Sequence, residues 1–352
     1  MANNDYDAIV VGSGISGGWA AKELAEKGLK VLMLERGRNI EHIKDYVNAH
    51  KEAWDYPHRN VPTQALKVAH PVLRRVYPLS ESTYGMWADE KDCPYTETKR
   101  FDWFRGYHVG GRSLMWGRQS YRLSRMDFEA NAREGIAVDW PIRYADIAPW
   151  YSHVERFAGI SGKAEGLAHF PDGEFQPPIE MNAGEKFVKA GLERAYPDRI
   201  LAHGRFAVLT EPIGDRLPCH FCGPCERGCS TGSYFSSQAS TLPAAQRTGN
   251  LTLRPHSLAH SVIYDEQRDR ASGVRFIDTQ TGEVHEVFAR VIFLCASALA
   301  STRLLLHSKS PRHPNGLGAF GRMTMPENGA WMSDRSSFAS SSATRRAVFS
   351  TS

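Results

Sequence analysis

The sequence predicts an α/β protein built on a doubly wound, mostly parallel sheet, and three observations carry that prediction. A short β-branched run, Ala8-Ile9-Val10-Val11, leads into the glycine turn Gly12-Ser13-Gly14-Ile15-Ser16-Gly17. A helical stretch follows and closes at Gly28. A second apolar run, Val31-Leu32-Met33-Leu34, ends on an acid, Glu35. Unbroken apolar runs of this length fit strands covered on both faces, so residues 1–36 read as one βαβ unit.

Composition bounds the rest. The 352 residues allow one large or two ordinary domains, and 41% apolar with 23% charged residues is ordinary globular usage. Collagenous, fully disordered and disulfide-dense chains are excluded. Lys plus Arg is 43 against 39 for Asp plus Glu, a net charge of +4, and no basic block concentrates the excess. Nothing here asks for a nucleic-acid partner. No apolar run approaches the roughly 18 residues of a membrane helix. No basic region followed by an apolar stretch opens the chain, so the cytoplasm is the expected compartment.

Further elements follow in order. Ile15, Trp19, Leu24 and Ala25, with Ala20 and Ala21 between them, mark the expected buried face of the first helix. Residues 40–100, rich in His, Tyr, Trp and charge, read as irregular with some helix. Residues 101–117 hold a second glycine turn, 146–157 read as helix, and 160–215 are punctuated by Gly and Pro. Strands return at 251–254, 260–264 and 273–277, with Asp269 and Gly282 as hairpin-turn residues. A buried strand over 287–295 and a helix through Ser301–His307 complete the ordered part. Residues 333–352 contain eight serines and no periodic apolar face, and are expected to be disordered.

Gly12-x-Gly14-x-x-Gly17 lies between a strand and a helix, with Glu35 about 20 residues on, which is the context a dinucleotide fingerprint requires. Gly12 permits the sharp turn, Gly14 lets a diphosphate approach the backbone, and Gly17 lets helix and strand pack closely. The helix N-terminus supplies bare N–H groups and a positive dipole end. Glu35 would accept hydrogen bonds from ribose hydroxyls and repel a 2′-phosphate, which argues against NADP. The fingerprint alone leaves FAD and NAD open.

Three more segments narrow that choice: Arg105-Gly-Tyr-His-Val-Gly-Gly-Arg-Ser-Leu-Met-Trp-Gly117, Asn250 through Ile263, and Cys295 through Leu306. Together with the N-terminal unit, over about residues 5–318, they resemble the glucose–methanol–choline (GMC) flavoprotein oxidoreductases. The likeness is strongest to bacterial sugar dehydrogenases and pyranose oxidases. The resemblance implies an FAD-binding domain made of residues 5–160 and 216–318, a substrate-domain segment at 161–215, incomplete against the family pattern, and a tail at 319–352. It implies that Gly110, Gly111 and Ser113 lie along the FAD diphosphate, that Met115 and Trp116 approach the flavin, that Ala259 contacts the adenine, and that Ala296 and Ser297 return the chain to the nucleotide. Arg112 departs from the small residue usual after the paired glycines, and Trp116 stands where many members have Asn or His. Met115 occupies the place of a histidine that bonds covalently to FAD in some sugar oxidases. A thioether cannot make that link, so the resemblance implies non-covalent FAD.

The family oxidises a CH–OH group of a sugar or other alcohol, passing hydride to flavin N5, with a histidine base that lies beyond the segment matched by residues 295–306. No histidine of this sequence matches it, so no catalytic residue is assigned, and a shortened chain with impaired turnover is the alternative expectation. An NAD-dependent dehydrogenase is a further alternative. The expected partners are a small alcohol or sugar and an electron-accepting subunit or cytochrome.

Cys219, Cys222, Cys225 and Cys229 have the C-x2-C-x2-C-x3-C spacing of ferredoxin-type iron–sulfur ligation, although Ser230 replaces the proline that usually follows. An iron–sulfur cluster, a structural zinc and a loop of metal-free thiols all remain open on spacing alone.

Overall fold

The computed structural model describes residues 6–76, 78–96 and 99–317; the serine-rich tail lies outside them. The described elements, in chain order, are β1 (Tyr6–Val11), α1 (Ile15–Glu26), β2 (Val31–Leu34), α2 (Gln64–Ala69), α3 (Arg125–Glu134), α4 (Tyr144–Ala158), α5 (Ala183–Ala195), α6 (Thr241–Arg247), β3 (Leu251–Arg254), β4 (Ser257–Asp265), β5 (Arg270–Asp278), β6 (Val284–Leu294) and α7 (Ala298–His307). They fall into two compact units. One takes the described parts of Met1–Trp116, Pro224–Cys229 and Ser236–Ser352; the other takes Gly117–Gly223 and Ser230–Phe235. The first break between the units falls at Gly117.

The first unit is the α/β body. Its six strands run in the order β3-β2-β1-β6-β5-β4. β1 pairs in parallel with β2 and with β6, and β2 pairs in parallel with β3. β6 is divided along its length: Ala289 and Val291–Leu294 pair with β1, while Val284–Phe288 pair antiparallel with β5, which pairs in turn with β4. Asp269 and Gly282, both at positive φ, turn the chain between these antiparallel strands.

Alternation along the strands explains the two apolar runs. Val10, Val31 and Met33 point to a cluster with Ala21 and Ala25 of α1 and Leu242 and Ala245 of α6. Ile9, Val11, Leu32 and Leu34 point the other way, against Val262, Val274, Phe276 and Leu304. Both faces are therefore covered, and no polar residue is tolerated on either.

The face that α1 buries is Gly17, Gly18, Ala21, Lys22 and Ala25, while Ile15 is 37% exposed. Ala21 and Ala25 are thus buried as expected, and Ala20 and Leu24 pack against the same cluster; Ile15 departs from the expected face. A Cβ on Gly18 would lie 2.4 Å from Thr241 Oγ1, so α1 and α6 cross at a distance only small residues allow.

The second unit holds α3, α4 and α5, none of which except α4 was expected. Capping boxes open two of them, Ser124 with Asp127 and Asn182 with Glu185. Inside the unit Arg122 makes a bidentate pair with Glu155 at 2.8 and 2.6 Å, both side chains nearly buried. Arg205, fully buried, lies over the Phe170 ring and bonds Asp172.

Phe276 is the largest apolar side chain that is fully buried among the described residues. Phe276→Ala is expected to lower the unfolding free energy by about 3–5 kcal/mol, measured by urea denaturation.

Candidate dinucleotide site

The glycine turn after β1 sorts its three glycines by what surrounds them. Gly12 has φ +96°, and a Cβ there would lie 2.6 Å from the Cys295 carbonyl oxygen. A Cβ on Gly17 would lie 1.8 Å from the Gly12 carbonyl oxygen. Neither position has room for a side chain. Around Gly14, the N-cap of α1, a Cβ would meet nothing within 4 Å. That open space sits directly over the N-terminus of α1, where unpaired backbone N–H groups and the positive dipole end favour an anion.

Ser13, between the first two glycines and fully buried, ties the turn to its surroundings. Its backbone N–H and its Oγ both donate to Glu35 Oε2, at 3.1 and 2.5 Å. The same Oγ accepts from the Gly110 N–H at 2.9 Å. Gly37 N–H donates to Glu35 Oε1 at 2.9 Å. The fingerprint turn, the end of β2 and the second glycine turn therefore form one hydrogen-bonded unit. Burial pushes the Glu35 carboxyl above its ordinary range, outweighing the Ser13 and Gly37 bonds that pull it down.

The second glycine turn comes in edge-on. Gly110 has φ +85° and Gly111 begins a short 3-10 turn through Leu114. A Cβ on Gly111 would be 3.7 Å from the Gly14 Cα, so the paired glycines of the two segments face one another. Ser113 is buried and accepts from the Ser237 N–H at 3.0 Å. Gln238 Nε2 donates to the Val109 carbonyl, and its amide fills the place a Gly110 side chain would take. Met115 is buried in a cluster with Tyr46, Leu73, Trp87 and Leu114, while Trp116 is half-buried at the end of the first unit.

The other expected residues reach this place by their own strands. The Ser257 N–H donates to the Glu35 carbonyl at 2.7 Å, while Ala259, two residues further along β4, packs against the cluster that holds Val262 and Phe276. Ala296 Cα would touch a Gly12 Cβ at 3.0 Å, and Ser297, with φ +75° and ψ 160°, is the N-cap of α7. Such a backbone is sparsely populated for a serine and costs of order 1–3 kcal/mol.

Sequence reasoning missed Ser13, Ser237, Gln238 and Thr241. The run Ser236-Ser237-Gln238-Ala239-Ser240-Thr241 is buried throughout, although its polar composition resembles a solvated loop. Its only sequence signal is the absence of any charge. Of the scattered histidines, His70 is buried and its Nε2 lies 3.0 Å from Tyr84 Oη, His58 pairs with Glu81, and His42 bonds Tyr46.

The four clustered cysteines are divided between the units: Cys219 and Cys222 in the second, Cys225 and Cys229 in the first. The Phe221 N–H donates to Cys219 Sγ at 3.4 Å. Among the described residues no group of three or more His, Cys, Asp and Glu side chains is placed to hold a metal ion.

A family model described as GMC oxidoreductase matches residues 6–320. Among curated proteins, 6‴-hydroxyparomomycin C oxidase of Streptomyces lividus is 28% identical over 90% of this chain and 53% of its own length. The 2-methyl-1,2-propanediol dehydrogenase of Mycolicibacterium austroafricanum is 28% identical over 88% of this chain and 52% of its own. The chain thus spans about half the length of the curated relatives it matches. A solved FAD-dependent oxidoreductase from Chaetomium thermophilum shares the fold at a TM-score of 0.50 and 16% identity, over 86% of this chain and 47% of that one.

The Glu35 environment gives a pH dependence of definite sign. An acid whose folded-state pKa lies above its unfolded value, near 4.5, favours folding most below that value. That contribution is lost as pH rises through the folded-state value. Glu35→Gln is therefore expected to gain stability relative to the wild type between about pH 4 and pH 7, read by urea unfolding of the ligand-free chain at both values.

Proposed function

The chain belongs to the GMC oxidoreductase family, and on that footing we propose that it is the FAD-binding part of an enzyme that oxidises a CH–OH group of a sugar or other alcohol. The family's cofactor is FAD. The observation that supports the reading best is the pairing of the two glycine turns through Ser13, with open space left at Gly14. A dinucleotide as long as FAD needs support at both turns, whereas the first alone would serve NAD.

The open space at Gly14 and the approach of Gly111 to it support this cofactor. The N-terminal amides of α1, beside Gly14, would hold the diphosphate. Glu35 would hold the adenosine ribose, taking hydroxyl donors on the lone pairs that Ser13 and Gly37 leave. Gly111 and Ser113 would carry the chain toward the flavin, with Met115 and Trp116 beside it. Bound FAD supplies a hydride acceptor for the alcohol carbon. Met115 in this position keeps the cofactor non-covalent. Ala259 and the Ala296–Ser297 corner would close the adenosine end.

A hydroxyl-bearing substrate is supported by the names of both curated relatives, one acting on a hydroxyparomomycin and the other on a diol. The acceptor of the electrons is a second redox protein or subunit in the same proposal. Among the described residues no helix is long and apolar enough to cross a membrane.

Titration of the purified chain with FAD, followed by quenching of flavin fluorescence, tests the cofactor; stoichiometric capture is expected, and a chain that leaves FAD free overturns the proposal. A panel of sugars and diols with an electron-accepting dye tests the chemistry. Gly14→Ala separates site from scaffold. Its Cβ meets nothing in the ligand-free protein, so stability is expected within about 0.5 kcal/mol of wild type, while FAD capture weakens at least about tenfold as the diphosphate loses close approach to the backbone. Paired melting curves and titrations read both effects.

A further inference from the structure

We propose that Arg112 is the cationic anchor of the dinucleotide diphosphate, and that it sets how tightly this chain holds its cofactor; the inference rests on the FAD reading above. Four segments build the walls around the open space at Gly14: residues 12–17, 109–116, 236–241 and 295–297. Between them they carry one charged side chain, Arg112. The rest of the cradle is glycine, hydroxyl, amide and apolar groups. A diphosphate brought there meets backbone N–H donors and a helix dipole equivalent to roughly half a charge. One guanidinium adds a full charge and a forked set of donors matched to phosphate oxygens.

The position of Arg112 is fixed even though its side chain is exposed. It follows Gly111, whose missing side chain would stand 3.7 Å from the Gly14 Cα. Its carbonyl accepts from the Met115 N–H at 2.9 Å, and Ser113 and Leu114, the next two residues, are buried. The short 3-10 turn is thus pinned on its buried side, and Arg112 is the residue that emerges one step from the closest approach of the two glycine turns. Among the described residues its guanidinium makes no ion pair or hydrogen bond with another side chain. By contrast, Lys22 on α1 is engaged by Glu23 and Glu26. Arg112 therefore adds an unspent positive charge beside a cradle whose four wall segments carry no other charged side chain and whose Ser13 is bonded to the Glu35 carboxyl.

Binding of FAD, ADP and riboflavin to the full chain tests this, by flavin fluorescence for the flavins and by competition for ADP, at low and high salt. Arg112→Ser is expected to weaken FAD and ADP about tenfold, to leave riboflavin unchanged, and to flatten the salt dependence of FAD binding. Arg112→Lys keeps the charge and is expected to recover part of the loss. Melting curves of both variants show whether each is folded, and Arg112→Gln repeats the comparison if the serine variant is not. Equal FAD affinity and equal salt dependence in wild type and Arg112→Ser overturn the proposal. So does an equal loss for riboflavin, which would place the effect on the fold or the flavin end. A wild-type chain that captures neither FAD nor ADP overturns the FAD reading itself, an outcome separate from wild-type capture without an effect of Arg112.

Discussion

A carboxylate shut away from water holds the nucleotide end of this molecule together. Glu35 closes β2, and through Ser13 it reaches both the turn that ends β1 and the turn at Gly110. An ionised acid in that position is costly unless its lone pairs are taken, and three donors, two on Ser13 and one on Gly37, take them. The arrangement makes the loops mutually dependent. If the Gly12 turn moved outward Glu35 would lose two of its three donors, and the Gly110 turn is tied to the same serine, which is how flexible, glycine-rich backbone is kept at fixed geometry before any ligand arrives. In the FAD reading proposed above the same group would meet ribose hydroxyls, so the scaffold and the recognition of adenosine would share one side chain.

Around that centre the body follows from covering a sheet on both sides. Residues 9, 11, 32 and 34 meet the β4–β5 meander and α7, while residues 10, 31 and 33 meet α1 and α6. Small residues decide the closest approaches. Gly17 and Gly18 bring α1 down onto the Gly12 turn and onto Thr241, and the open end of the helix is thereby aimed at the space over Gly14. Helix direction, turn shape and anion preference are consequences of the same few missing side chains.

The βαβ unit and the strands of the second half were legible because their burial on both faces writes itself as continuous or alternating apolar runs. The buried face of α1 was legible only in part: Ala21 and Ala25 are buried as expected and Ile15 is not, because a helix crossing another at close range buries glycine and alanine. α5 was hidden for the opposite reason, since it buries none of its residues in this structure and Phe187 is 77% exposed; only its capping box marks it. The polar run Ser236–Thr241 shows a limit of pattern reading, because hydroxyls that replace side-chain volume in a tight crossing have the composition of a loop. Ser297 adopts a glycine-like backbone that no composition signals. The cysteine spacing showed a shared chemistry for four thiols, but spacing says nothing about which compact unit each one joins.

The division of β6 between two partners has a consequence for how the chain is made. β1 lies near the beginning, yet one of its two neighbours is a strand whose pairing residues start at Ala289. During synthesis, at about 5–20 residues per second, β1 waits on the order of tens of seconds with that edge unpaired. Throughout the interval a four-residue apolar core, Ala8–Val11, offers its backbone to any extended segment nearby. The antiparallel hairpins that turn at Asp269 and Gly282 are local in sequence and would form just before the missing edge is filled.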